Sequence, residues 1–139
     1  MTDMLTCEIV TPVKTVFSSE ATYVGLSGEV GSFGVMRRHE PLVSALQPGV
    51  VSVTTPASGR DSKVTFVVSG GYTEINDNKV IVLANDAVAV SDIDVDAVRA
   101  ELDKVEKIIA GLGEGDSTAA YYKGQKAWNE LQLKAVLGE

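Results

Sequence analysis

The stretch GSFGVMRRHEPLVSALQPG, Gly31 to Gly49, holds the only histidine of the chain. His39 follows Arg37 and Arg38 and precedes Glu40 and Pro41. An imidazole beside a carboxylate can move protons near neutral pH as a general base. That chemistry needs a nucleophile or an orienting partner within hydrogen-bond reach. In an extended segment Glu40 points away from His39, so a structural or partner-contact role suits the histidine better, with a small enzyme using His39 as an alternative. The single cysteine, Cys7, cannot form an internal disulfide, and a reducing compartment suits it. It alternates with Leu5 and Ile9 and reads as a small buried hydrophobe. One histidine and one cysteine cannot supply a structural zinc site. The acids of SDIDVD, Asp92, Asp94 and Asp96, read as helix capping rather than as a metal cluster. No glycine is followed by Lys-Ser or Lys-Thr, and there is no G-x-S-x-G elbow, so neither a P-loop nor a hydrolase nucleophile is present in the sequence.

The elements that position these residues fall into two halves with different periods. From Leu5 to about Val90 the chain is written in strands. LTCEIVT and ATYVGLSG alternate, GVVSVTT and KVTFVVSG flank a loop-like PASGRDS stretch, and GGYTEINDNKVIVLA turns at Asn76–Asn78. Asn and Asp tolerate the positive φ that such a turn requires. At Asp92 the period lengthens. Val98, Leu102, Val105 and Ile109 recur at helical spacing, and Asp94 or Asp96 is placed to cap. GLGEGD interrupts, and a second helical run follows with Ser117 as its N-cap and Ala120, Ala127, Trp128, Leu131 and Ala135 on one side. The expected fold is α+β: an N-terminal antiparallel β-sandwich over residues 1–92, then a two-helix hairpin over residues 93–139.

The length favours one main domain with a small appendage, and the composition can bury a core. The 139 residues are 45% hydrophobic and carry a net charge of −7. The acidity sets nucleic acid aside and gives no direct attraction to anionic lipid. No apolar run reaches the roughly 18 residues that span a bilayer, and the N-terminal MTDMLTCEIV has no secretory-signal pattern.

GEVGSFGVMRRHEPLVSALQPGVV, followed by FVVSGGYTEINDNKVIVLAND, resembles the ε subunits of the F-type ATP synthase, called δ in mitochondria. That family's pattern is a Gly-Glu-x-Gly turn, a histidine before x-Pro-Leu, and later a Ser-Gly-Gly strand ending in an Asn-Lys-Val-type hairpin. Gly28, Glu29, Gly31, His39, Pro41, Leu42, Pro48, Gly49, Ser69, Gly70, Gly71, Glu74, Asn78, Val80 and Leu83 match it. Arg37 and Arg38 depart from it, standing where Pro and Gly or Asn are common, and Ser32-Phe33 lengthens the turn.

The resemblance implies a non-catalytic subunit of the rotor central stalk, coupling proton translocation through the c-ring to ATP synthesis. A free-standing β-sandwich adaptor is the other alternative. Implied partners are the γ subunit, the c-ring loops (through Glu29 and His39 at one docking end), and the α and β subunits through the hairpin. The hairpin would restrain ATP hydrolysis. Attachment to the cytoplasmic face of the inner membrane would be peripheral and through the complex alone. VDAVRA matches the family's nucleotide pattern at Val95, Asp96, Arg99 and Ala100, but the second helix has lysines (Lys123, Lys126, Lys134) and no arginine. The expectation is therefore no resident cofactor, with ATP at most a weak regulatory ligand at Asp96 and Arg99.

Overall fold

The computed structural model describes residues 4–28, 31–57 and 60–138. The chain divides into two compact units, Met1–Ala89 and Val90–Glu139.

Ten strands build the first unit: β1 (Leu5–Val10), β2 (Thr15–Ala21), β3 (Tyr23–Gly28), β4 (Gly31–Val35), β5 (Leu42–Leu46), β6 (Gly49–Ala57), β7 (Arg60–Val68), β8 (Gly71–Asn76), β9 (Lys79–Ala84) and β10 (Ala87–Ala89). Their hydrogen-bonded order is β10-β7-β6-β3-β5-β8-β9-β1-β2, with β4 paired to β3 off that path. Period-2 alternation sends one set of side chains inward. Leu5, Cys7 and Ile9 of β1, Val24 and Leu26 of β3, Val51 and Val53 of β6, and Val80 and Val82 of β9 all enter one core. Burying each such side chain is worth roughly 1.5–3 kcal/mol, so register is strongly specified wherever these residues pair. Phe17 of β2, at one end of the strand order, and Phe66 of β7, next to the other end, meet with ring centroids 5.0 Å apart, closing the strands over the core as a sandwich.

The Asn76–Asn78 turn forms as expected. Asp77 and Asn78 both take positive φ, 50° and 60°, the pairing that matches the twist of the flanking strands. Three details differ from the expectation. β1 pairs parallel with β9, so the sandwich is not wholly antiparallel. The PASGRDS stretch is mostly strand, because β6 and β7 continue pairing out to Ala57↔Arg60, with residues 58–59 outside the described residues. Ser32 and Phe33 lie within β4, paired to Ser27 and Leu26, rather than in a lengthened turn.

The second unit opens with a 3-10 turn, Val90–Asp92, and continues with α1 (Val95–Ala110) and α2 (Ala119–Leu137). Asp94 is the N-cap of α1, its carboxylate accepting from Ala97 N–H at 3.1 Å, and Asp96 sits in the first turn where the helix dipole favours an acid. Ser117 is not the cap of α2. Thr118 is, in helical conformation and without a side-chain cap bond, because its hydroxyl and N–H both donate to Asp116 at 2.6 and 2.7 Å. Those two bonds lower the Asp116 pKa from its ordinary value. The two helices pack on each other. Of the side expected to face inward on α2, Trp128, Leu131 and Ala135 are half-buried and Ala120 and Ala127 are exposed; Asn129 and Gln132 are the buried pair.

Candidate docking surfaces

His39 lies in the loop between β4 and β5, where Met36 O accepts from His39 N–H at 3.2 Å and closes a tight turn. The turn forces Arg38 to φ 65°, a conformation that costs a side-chain-bearing residue about 1–2 kcal/mol. The loop is tied to the β8–β9 turn by Arg38 N–H donating to Asn78 Oδ1 at 2.5 Å. Asn78 O in turn accepts from Thr6 N–H at 2.9 Å. His39 Nδ1 stands 2.7 Å from the Glu40 carbonyl oxygen, which can only accept, so Nδ1 carries the proton. The imidazole thus holds its own loop in place, and Pro41 leads directly into β5.

Glu29, the expected companion of His39, lies outside the described residues. Its described neighbours Gly28 and Gly31 pair with each other, and Gly28 also pairs with Leu46 at the far end of β5. The His39 loop leaves β4 from the other end, beyond Val35, which is about 13 Å along the strand at 3.3 Å per residue.

A surface that the motif reading passed over lies on the outer side of β5, β8, β9 and β1. Strand register sets Ala45, Tyr72, Leu83 and Val10 in one row, and Val43, Glu74, Ile81 and Glu8 in the next. Val43 is 70% exposed, Tyr72 60% and Leu83 49%. A shallow depression of about 410 Å³ runs along the first row past Val10, Pro12, Tyr72 and Leu83. Lys79 and Glu8 form an ion pair at 3.5 Å on the same strands. The signal was present in KVIVLA, which is apolar at inward and outward positions alike. A strand that reads so is normally covered on both faces. Here Val43, Tyr72 and Leu83 of the outward set are exposed while Val10, Ala45 and Ile81 are half-buried, and exposed apolar side chains grouped in this way mark interaction sites.

On α1, Asp96 and Arg99 are both exposed, and among the described residues no ion pair joins them. Lys123 and Lys134 of α2 are exposed and Lys126 is half-buried.

The family described as ATP synthase, Delta/Epsilon chain, beta-sandwich domain matches residues 4–90. The ATP synthase epsilon chain of Nitratidesulfovibrio vulgaris (strain DP4) is 44% identical over 135 residues, covering 96% of this chain and 98% of that one. The epsilon chain of Stenotrophomonas maltophilia (strain K279a) is 39% identical over 127 residues, covering 91% and 89%. Among solved structures, the fold is similar to a chain in the Euglena gracilis mitochondrial ATP synthase, with TM-score 0.65 at 20% identity over 99% of this chain and 81% of that one. A chain in the Tetrahymena thermophila mitochondrial ATP synthase central stalk and c-ring gives 0.62 at 20% identity, covering 95% and 96%.

Proposed function

The chain belongs to the ATP synthase delta/epsilon family, and from that premise we propose that it docks the rotor's γ subunit through the outer face of β5, β8, β9 and β1. It is a non-catalytic subunit of the ATP synthase central stalk. The observation that carries the docking reading is the exposure of Tyr72 and Leu83 within the row Ala45, Tyr72, Leu83 and Val10. A stable interface needs about 1,000 Å² or more in total, with aromatic anchors near its centre, and Tyr72 stands in the middle of this row. The rigidity of a packed sandwich suits transmission of torque between γ and the c-ring, since close-packed interiors deform little.

The remaining assignments follow from the same reading. Glu29 and the His39 loop contact the c-ring loops at one docking end. The helical unit reaches the α and β subunits and restrains hydrolysis. The subunit sits peripherally at the cytoplasmic face of the membrane, held there by the complex.

Co-expression with γ tests the docking face. The wild-type chain should co-purify with γ in a one-to-one complex. Tyr72→Glu combined with Leu83→Glu should lose it while keeping the wild-type melting profile, since both side chains face outward. Retention of γ by the folded double variant would rule out this face.

A further inference from the structure

Glu74 stands on the outer side of β8 among apolar neighbours. Val43 of β5 and Ile81 of β9 pair with it across the ladder. Tyr72 lies two residues back on the same strand and the same side, about 7 Å away. A shallow depression of about 280 Å³ opens beside Glu74, walled by Pro41, Leu42 and Val43. Glu8, further along the same row, has its cation, with Lys79 Nζ 3.5 Å from Glu8 Oε1. Glu74 has none, since among the described residues no ion pair reaches its carboxylate. In the free subunit the side chain is exposed and water solvates the charge. Covering this face changes that. A carboxylate taken out of water is costly unless a hydrogen-bonding cation meets it.

We propose that Glu74 is the ionic anchor of the docking face and that the covering surface of γ brings an arginine to it. The inference rests on the γ-docking reading given above and adds to it the chemistry of the partner. Three features favour a guanidinium over an ammonium. Val43 and Ile81 flank the position, and the guanidinium is the more weakly hydrated cation, so it enters apolar surroundings more easily. The exposed Tyr72 ring gives a planar guanidinium a face to stack on while its fork bonds the Glu74 carboxylate. The depression beside Val43 accepts the aliphatic stem of such a side chain. The pair also sets alignment. An apolar row alone lets a partner slide, whereas one charged contact within it fixes the register.

Competition for γ tests the inference. Labelled wild-type chain bound to γ is displaced by unlabelled full-length variants, so relative affinities are read directly. Glu74→Gln, nearly the same shape without the charge, should compete about tenfold more weakly than wild type, or about 1.4 kcal/mol. Glu74→Lys should not compete measurably, because it sets like charges together. Both variants should keep the wild-type melting profile, since the side chain is exposed. Glu8→Gln is the control, its charge being already met by Lys79, and should lose much less. If Glu8→Gln weakens competition as much as Glu74→Gln does, the effect belongs to the charge of the whole face and the anchor is overturned. Equal competition by Glu74→Gln would show a carboxylate left solvated at the rim, and stronger competition a carboxylate buried without a partner. Either result overturns the anchor. Carbodiimide coupling of Glu74 to a γ lysine would overturn the arginine, since a guanidinium does not couple. A wild-type chain that fails to bind γ removes the docking reading itself. Failure at Glu74 alone, with Tyr72→Glu and Leu83→Glu still disruptive, leaves that reading standing.

Discussion

The backbone N–H of Arg38 donates to the side chain of Asn78 across forty residues of sequence, and both residues hold positive φ, 65° and 60°. One hydrogen bond thus links the His39 loop to the β8–β9 turn and helps offset the strain at both. Asn suits its half of the pair, since its short side chain tolerates this conformation and supplies the acceptor. Arginine does not, and it stands where the family commonly carries Gly or Asn.

Substitutions of the two residues should therefore act with opposite signs. Asn78→Gly keeps the turn geometry but deletes the acceptor, and should destabilise the sandwich by about 1–2 kcal/mol. Arg38→Gly keeps the bonded N–H and relieves about 1–2 kcal/mol of strain, against roughly 0.5–1 kcal/mol of added chain entropy in the unfolded state. A small gain in melting temperature is expected. Loss of stability in both variants would show that the Arg38 side chain, rather than the N–H, secures the loop.

Cys7 gives the sandwich an alkaline limit. Its pKa rises from 9.0 to about 12, mainly through burial and further through the Glu8 charge. Below about pH 8 the thiol is neutral in both the folded and the unfolded chain and contributes almost no pH dependence. Between about 9 and 12 the unfolded thiol loses its proton while the folded one keeps it, so the unfolded state binds fewer protons and stability falls as pH rises. The slope approaches about 1.4 kcal/mol per pH unit. Urea unfolding from pH 8 to pH 10.5, compared with Cys7→Val, isolates this contribution from Lys and Tyr titration. Equal slopes in the two chains would refute it.

Much of this architecture was legible in the sequence, for identifiable reasons. Leu5, Cys7 and Ile9 alternate because one side of β1 meets the core, and Asp77-Asn78 turn because both tolerate positive φ. The β6–β7 loop was misread because Pro56 and Ser62 resemble loop chemistry, whereas a register fixed by Val51↔Phe66 and Val53↔Val64 carries the ladder outward past them. On α2 the expected side is only partly covered, with Trp128, Leu131 and Ala135 half-buried and Ala120 and Ala127 exposed, while the most buried residues are Asn129 and Gln132. Polar residues at buried positions defeat pattern reading, which assumes that burial and hydrophobicity coincide. The docking row escaped notice because exposed Tyr72 and Leu83 carry no motif. Only strand register, which depends on pairings distant in sequence, aligns them with Val10.

Nucleotide affinity of the helical unit should be low. The VDAVRA match supplies Asp96 and Arg99, but Asp94 already caps α1 and Asp96 adds negative charge to its first turn, where an anion would otherwise be welcome. α2 contributes lysines and no arginine, and lysine offers phosphate a point charge rather than a bidentate fork. A charge-assisted hydrogen bond is worth about 1.5–3 kcal/mol, so the loss of one such contact weakens binding roughly tenfold or more. Calorimetry of the isolated chain with ATP should show weak binding, around millimolar, or none. Any heat that is seen should vanish in Arg99→Ala, whose side chain is exposed. Micromolar binding by the wild type would refute the argument from α2. Weak binding that survives Arg99→Ala would show that Asp96 and Arg99 serve the helix surface alone.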